Sequence, residues 1–95
     1  MKSKDAKRRH EIEHVRRRLK ERFGITLNEQ EIERLNQAIG KHPAWTFVER
    51  QSQRVTVWNG VMLGQEMYVV YDKLRNTVVS VITPEQWKNK DQGAY

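Results

Sequence analysis

The chain has 95 residues, no cysteine and a formal net charge of +6. That length allows one domain with a modest core, and the lack of cysteine excludes disulfide frameworks, thiolate nucleophiles and thiolate metal sites. No apolar run is long enough for a membrane span or a signal-peptide core, so a cytoplasmic protein without membrane contact is expected.

The charge is unevenly placed. Residues 1–22 carry ten Lys/Arg against four acids, which equals the excess of the whole chain. A cationic face confined to one element attracts a polyanion, and nucleic acid is the commonest one in a cytoplasm. The plain alternative is a solvated, solubilising helix.

A single domain over 1–95 is expected, with 1–7 and 88–95 frayed. From about Lys7 the apolar positions are Ile12, Val15, Leu19 and Phe23. Their spacing of 3, 4 and 4 predicts an amphipathic helix with a narrow stripe. Gly24 supplies its stop, with Ile25 closing over the end. Asn28 then reads as an N-cap with Glu31 three residues on, a capping box. Leu27 and Ile32 form the hydrophobic staple, and Ile32, Leu35 and Ile39 make the stripe of a second helix that Gly40 ends.

Lys41-His42-Pro43 breaks the helical pattern, and the period then drops from 3.6 to 2. Strands are predicted from Trp45 to Val48, from Arg54 to Trp58, from Glu66 to Tyr71 and from Thr77 to Thr83. Turns are predicted at 51–53, at Asn59-Gly60, at Leu63-Gly64 and at 72–76. The last two strands are the most apolar and belong in the centre. Thr83, Pro84 and Gln86 set up a short helical turn that brings Trp87 back onto the sheet. The order ααββββ with short loops predicts an α+β fold: two N-terminal helices packed on a four-stranded antiparallel sheet, with a short C-terminal helical turn. Strict alternation puts Val79, Val81 and Thr83 on one side of the last strand and Val78, Ser80 and Ile82 on the other. It leaves open which face the helices cover.

His10-Glu11-Ile12-Glu13-His14 matches the His-Glu-x-x-His string of zinc proteases, in which two imidazoles one turn apart hold the metal and Glu activates water. The surroundings speak against that chemistry. The third ligand is missing, since the only other histidine is His42, and arginines crowd the string. No metal and no cofactor is therefore expected beyond an adventitious two-histidine site.

Residues 14–26, HVRRRLKERFGIT, are similar to the first-helix pattern of small phage- and toxin-associated proteins of the barnase–EndoU–colicin–RelE nuclease superfamily. A second acidic helix follows, then Val69-Val70-Tyr71-Asp72 and Val78-Val79-Ser80-Val81 in the order that pattern has them. The resemblance covers residues 14–83. The chain departs from the pattern at Phe23, which intrudes before Gly24, and at Ser80, where threonine is usual. The resemblance implies His14 as the helix-borne catalytic or substrate-binding histidine, with Arg17 or Arg18 beside it. It implies Arg54 and Ser80 as contributions from the sheet. It also implies RNA cleavage without metal, by attack of the 2′-hydroxyl on the adjacent phosphorus, and a possible cognate inhibitor protein as partner.

Such a reaction needs a base for the 2′-hydroxyl, an acid for the leaving oxygen and cations for the phosphoryl charge. Histidine is suited to the proton transfer and arginine to the phosphate. The charges of Arg17 and Arg18 are expected to depress the pKa of His14. Arg8, Arg9, Arg16, Lys20 and Arg22 are expected to grip the nucleic-acid backbone. Two readings stand: a metal-independent RNase-like domain acting on RNA, and a non-catalytic module that binds nucleic acid or a protein through the same helix. Each residue also has a plain role open to it. His14 and Arg16 to Arg18 can be solvated helix positions, Arg54 can be ion-paired, and Ser80 can be a strand filler.

Overall fold

The backbone obeys its local stop signals. The computed structural model describes residues 2–89, with side chains from Arg9 onward. Helix α1 runs Lys2–Phe23 and so begins ahead of Lys7. Its stripe of Ile12, Val15, Leu19 and Phe23 is buried. Gly24 takes φ 67°, and the N–H groups of Gly24 and Ile25 donate to the carbonyls of Lys20 and Leu19 at 3.0 and 3.2 Å. This is the paired closure that lets a glycine finish a helix. Gln65 Nε2 donates to the Phe23 carbonyl at 2.6 Å, satisfying one more orphan acceptor of the last turn.

Helix α2 spans Glu29–Ala38 behind the expected capping box. Asn28 Oδ1 accepts from the Glu31 N–H at 2.8 Å, and Glu31 Oε1 accepts from the Asn28 N–H at 2.9 Å. Ile32, Leu35 and Ile39 are buried, and Gly40 turns the chain at φ 82°.

The sheet is an antiparallel meander ordered β1-β2-β3-β4, with β1 Thr46–Arg50, β2 Val55–Met62, β3 Gln65–Asp72 and β4 Thr77–Ile82. Helix α3, Pro84–Lys88, follows a second capping box in which Thr83 and Gln86 bond reciprocally. The fold is therefore α+β, with two helices on one face of a four-stranded antiparallel sheet and a short helix at the end. Among the described residues, no helix is long and apolar enough to cross a membrane.

Of the two strands expected in the centre, only β3 lies there, and β4 forms an edge of the sheet. Two further expectations are corrected. Asn59-Gly60 is not a turn but lies inside β2, where Asn59 pairs with Tyr68 and Gly60 with Met67. Glycine is there for space: a Cβ at Gly60 would run into the indole ring of Trp45. The hairpin turn is Leu63-Gly64, with φ 50° and 78°. Positive φ at both central residues is the type I′ arrangement that matches strand twist.

The second correction concerns β4. Val70 pairs with Ser80 but Tyr71 pairs with Val78, so Val79 is an extra residue and the strand is bulged. The bulge returns both Val78 and Val81 to the face that carries Met67, Val69 and Tyr71, and this is the face under the helices. Burying each such aliphatic side chain contributes roughly 1.5–3 kcal/mol. The opposite face gathers Val57, Val70 and Ile82 with Val55, Val79 and Tyr68. Trp87 of α3 stacks on Tyr68 with ring centroids 4.8 Å apart, as the helical turn after Thr83 predicts.

A polar link joins helix and bulge. Asn36 is buried. Its Oδ1 accepts the Val78 N–H at 2.8 Å, and its Nδ2 donates to Thr77 Oγ1 at 3.3 Å and to Glu33 Oε1 at 3.2 Å.

Candidate nucleic-acid interface

Helix α1 has three kinds of flank around its buried stripe. The first meets the sheet edge. Arg22 Nη1 donates to the Val81 carbonyl on the outer strand β4 at 2.6 Å, so this arginine caps an unpaired strand acceptor. Arg18, His14 and His10 follow it at intervals of four residues along the same side. Arg18 reaches Glu21 at 3.4 Å, a long and exposed contact of small energetic consequence.

His14 is partly buried. Burial, and after it the charges of Arg18, Arg17, Arg22 and His10, hold its pKa below 6.5. The direction agrees with the expectation from Arg17 and Arg18, but desolvation is the larger cause. The imidazole is neutral at physiological pH, and it makes no hydrogen bond among the described residues.

The second flank faces the link to α2. Arg16 Nε donates to the Leu27 carbonyl at 2.8 Å and its Nη1 to Glu13 Oε1 at 2.7 Å. Two acceptors thus fix the guanidinium and leave Nη2 without a hydrogen bond among the described residues. The third flank points to solvent and carries Arg9, Arg17 and Lys20, all exposed. Between the second and third flanks lies a cleft of about 250 Å³ lined by Glu13, Arg16, Arg17, Lys20, Thr26 and Leu27. Three cations and one carboxylate leave it cationic. The Arg8 side chain lies outside the described residues.

The zinc-protease string has no metal set. Glu11 pairs with Arg75 of the β3–β4 turn, which ties α1 to the sheet instead of poising a base. Among the described residues no cluster of three metal-ligating side chains exists.

The sheet-borne candidates have partners within the sheet. Arg54 sits just before β2 and grips Asp72, with Nε at 3.2 and 3.1 Å from the two carboxylate oxygens and Nη2 at 2.8 Å from Oδ2. Asp72 also accepts the N–H groups of Leu74 and Arg75. Burial works against this carboxylate, but the Arg54 hydrogen bonds and charge and the two backbone donors outweigh it, and its pKa falls below 3.8. Arg54 thereby anchors the β3–β4 turn and has its charge matched. Ser80 pairs with Val70 on the sheet face turned away from α1. The structure brings His14, Arg17 and Arg18 together on α1 and leaves Arg54 and Ser80 outside that group.

Sequence reading missed Thr26, the Leu27 carbonyl and Glu13 as parts of the cleft. It also missed a neighbouring groove of about 400 Å³ between α2 and the β2–β3 hairpin. Leu27 lines both. The groove is walled mainly by apolar side chains, among them Leu35, Trp45, Met62 and Leu63, with Arg34 on its rim. One signal for it lies in the sequence: leucine precedes glycine in a two-residue turn, where asparagine is the usual choice. Compared with family models, with curated proteins and with solved structures, the chain finds no match.

Proposed function

We propose that the protein is a nucleic-acid-binding module, RNA being its first candidate ligand, and that α1 makes the contact. The observation that carries this reading is the outward flank of α1. Arg9, Arg17 and Lys20 are exposed there, with no hydrogen bond or ion pair among the described residues, beside the cationic cleft. Guanidinium and ammonium groups so placed neutralise phosphates and release condensed counterions. A cytoplasmic location accompanies this reading. The test is binding of labelled RNA by fluorescence anisotropy across a salt series. Affinity that falls steeply with salt, with a slope that flattens by about one for Arg17→Ala or Lys20→Ala, supports it. Salt-independent binding, or none at low salt, overturns it.

The second reading is metal-independent RNA cleavage of the kind implied by the resemblance to phage- and toxin-associated nucleases, with a cognate inhibitor protein as partner. It is favoured by one observation: His14 is held neutral among arginines, the form a general base needs. Cleavage of RNA that persists in EDTA and disappears in His14→Ala supports it. Intact RNA after prolonged incubation with the pure protein rules it out.

A further inference from the structure

Leu63 is out of place for a turn. It is 72% exposed, it is a large apolar side chain, and it holds φ 50°. Left-handed backbone is costly for branched side chains and tolerable for asparagine. Among the described residues the other non-glycine position with positive φ is Asn76 at 52°, where the usual residue is used. An exposed leucine kept in a strained position points to a role outside the fold. Val61, two residues earlier on β2, is also an exposed aliphatic at 61%. Both line the groove whose floor is Trp45.

The groove adjoins the cationic cleft at Leu27, the one side chain that lines both. A ligand spanning both must present anionic groups at Arg16, Arg17 and Lys20 and a flat or apolar group one step further on. Glu31 and Arg34 both line the groove and balance in charge, so the anionic groups belong at the α1 cleft and the groove itself takes the apolar or flat group. A single-stranded polynucleotide has this alternation of phosphate and unpaired base. A duplex does not, because its bases are stacked and paired and cannot enter a groove.

We infer that the ligand is a single strand that lays a phosphate in the α1 cleft, crosses Leu27 and places an unpaired base against Leu63 and Trp45. This rests on the reading of α1 as a polyanion-binding face and adds the class of nucleic acid to it.

The experiment compares one labelled RNA sequence as a single strand and annealed to its complement, at the same salt, with the wild-type protein, Leu63→Asn and Lys20→Ala. Asparagine suits the turn, so Leu63→Asn is expected to melt at or above the wild-type temperature. It is expected to lose about tenfold in single-strand affinity, the order of one lost base contact, and nothing in duplex affinity. Lys20→Ala is expected to weaken both. Duplex binding as tight as single-strand binding overturns the inference while leaving α1 as the polyanion face. So does unchanged single-strand affinity in Leu63→Asn. A dimer in sedimentation that Leu63→Asn dissolves assigns the groove to a second copy and also overturns it. Absence of binding to either RNA at low salt removes the inference and the polyanion reading together.

Discussion

Asn36 on α2 holds the backbone N–H of Val78 on β4 at 2.8 Å, inside the core and across the bulge that Val79 creates. The amide thus does for this N–H what a neighbouring strand would do, and it fixes the height of α2 over the sheet. Asn36→Leu removes the acceptor and leaves a buried donor unpaired, at a cost of about 1–3 kcal/mol. Urea unfolding of Asn36→Leu and of Asn36→Asp measures it. The aspartate variant keeps an acceptor but buries a charge, and it is expected to recover stability as pH falls and the carboxyl protonates.

Trp45 lies so close to Gly60 that the strand has no room for a methyl group. Gly60→Ala is expected to destabilise by about 1–3 kcal/mol through overpacking, although alanine suits a strand better than glycine does. Trp45→Leu in the same chain frees that space and is expected to reduce the penalty of the alanine. A double-mutant cycle read by chemical denaturation gives the coupling.

The Arg54–Asp72 pair predicts an acid limb in the stability profile. The folded-state pKa of Asp72 lies below 3.8, so the unfolded chain binds the proton first. The contribution is complete above pH 3.8 and is lost as pH falls from there through the folded-state value. Thermal melts of wild type and Asp72→Asn between pH 7 and pH 2 are expected to differ most at neutral pH and to converge in acid.

His14 predicts a second limb. Its folded-state pKa is lowered, so protonation favours the unfolded chain as pH drops below 6.5. Its imidazole resonances are expected to titrate with a midpoint below 6.5, and Arg18→Ala is expected to raise that midpoint. Because a lowered pKa keeps the ring mostly neutral above pH 7, nucleic-acid affinity is expected to stay level between pH 8 and pH 7. A rise in affinity across that range would mean that His14 carries charge into the contact.

The helix ends and the order of elements were legible because their chemistry is local. Asn28 and Glu31, or Thr83 and Gln86, need only each other and the backbone between them. Gly60 was misread because Asn-Gly is the same dipeptide whether it makes a turn or makes room, and only Trp45, fifteen residues earlier, decides between them. The bulge at Val79 was hidden for a related reason: an extra valine in a valine-rich strand leaves no mark on composition. Of the candidate site, the basic helix was legible from charge alone. The cleft was not, since one of its fixed points is a main-chain carbonyl, that of Leu27, which any residue supplies. Arg54 shows the reverse: its partner, Asp72, is joined to it by strand register, which periodicity does not specify.

The bond from Arg22 to Val81 spans 59 residues, whereas each strand pairs with the next strand in the chain. Hairpins can zip in sequence with short loops, but seating α1 on β4 closes most of the chain and belongs late in folding. During synthesis the basic helix emerges before β4, the strand that supports it. A nascent chain therefore displays loose positive charge beside ribosomal RNA well before it owns a groove, and the two properties are separated in time as well as in sequence.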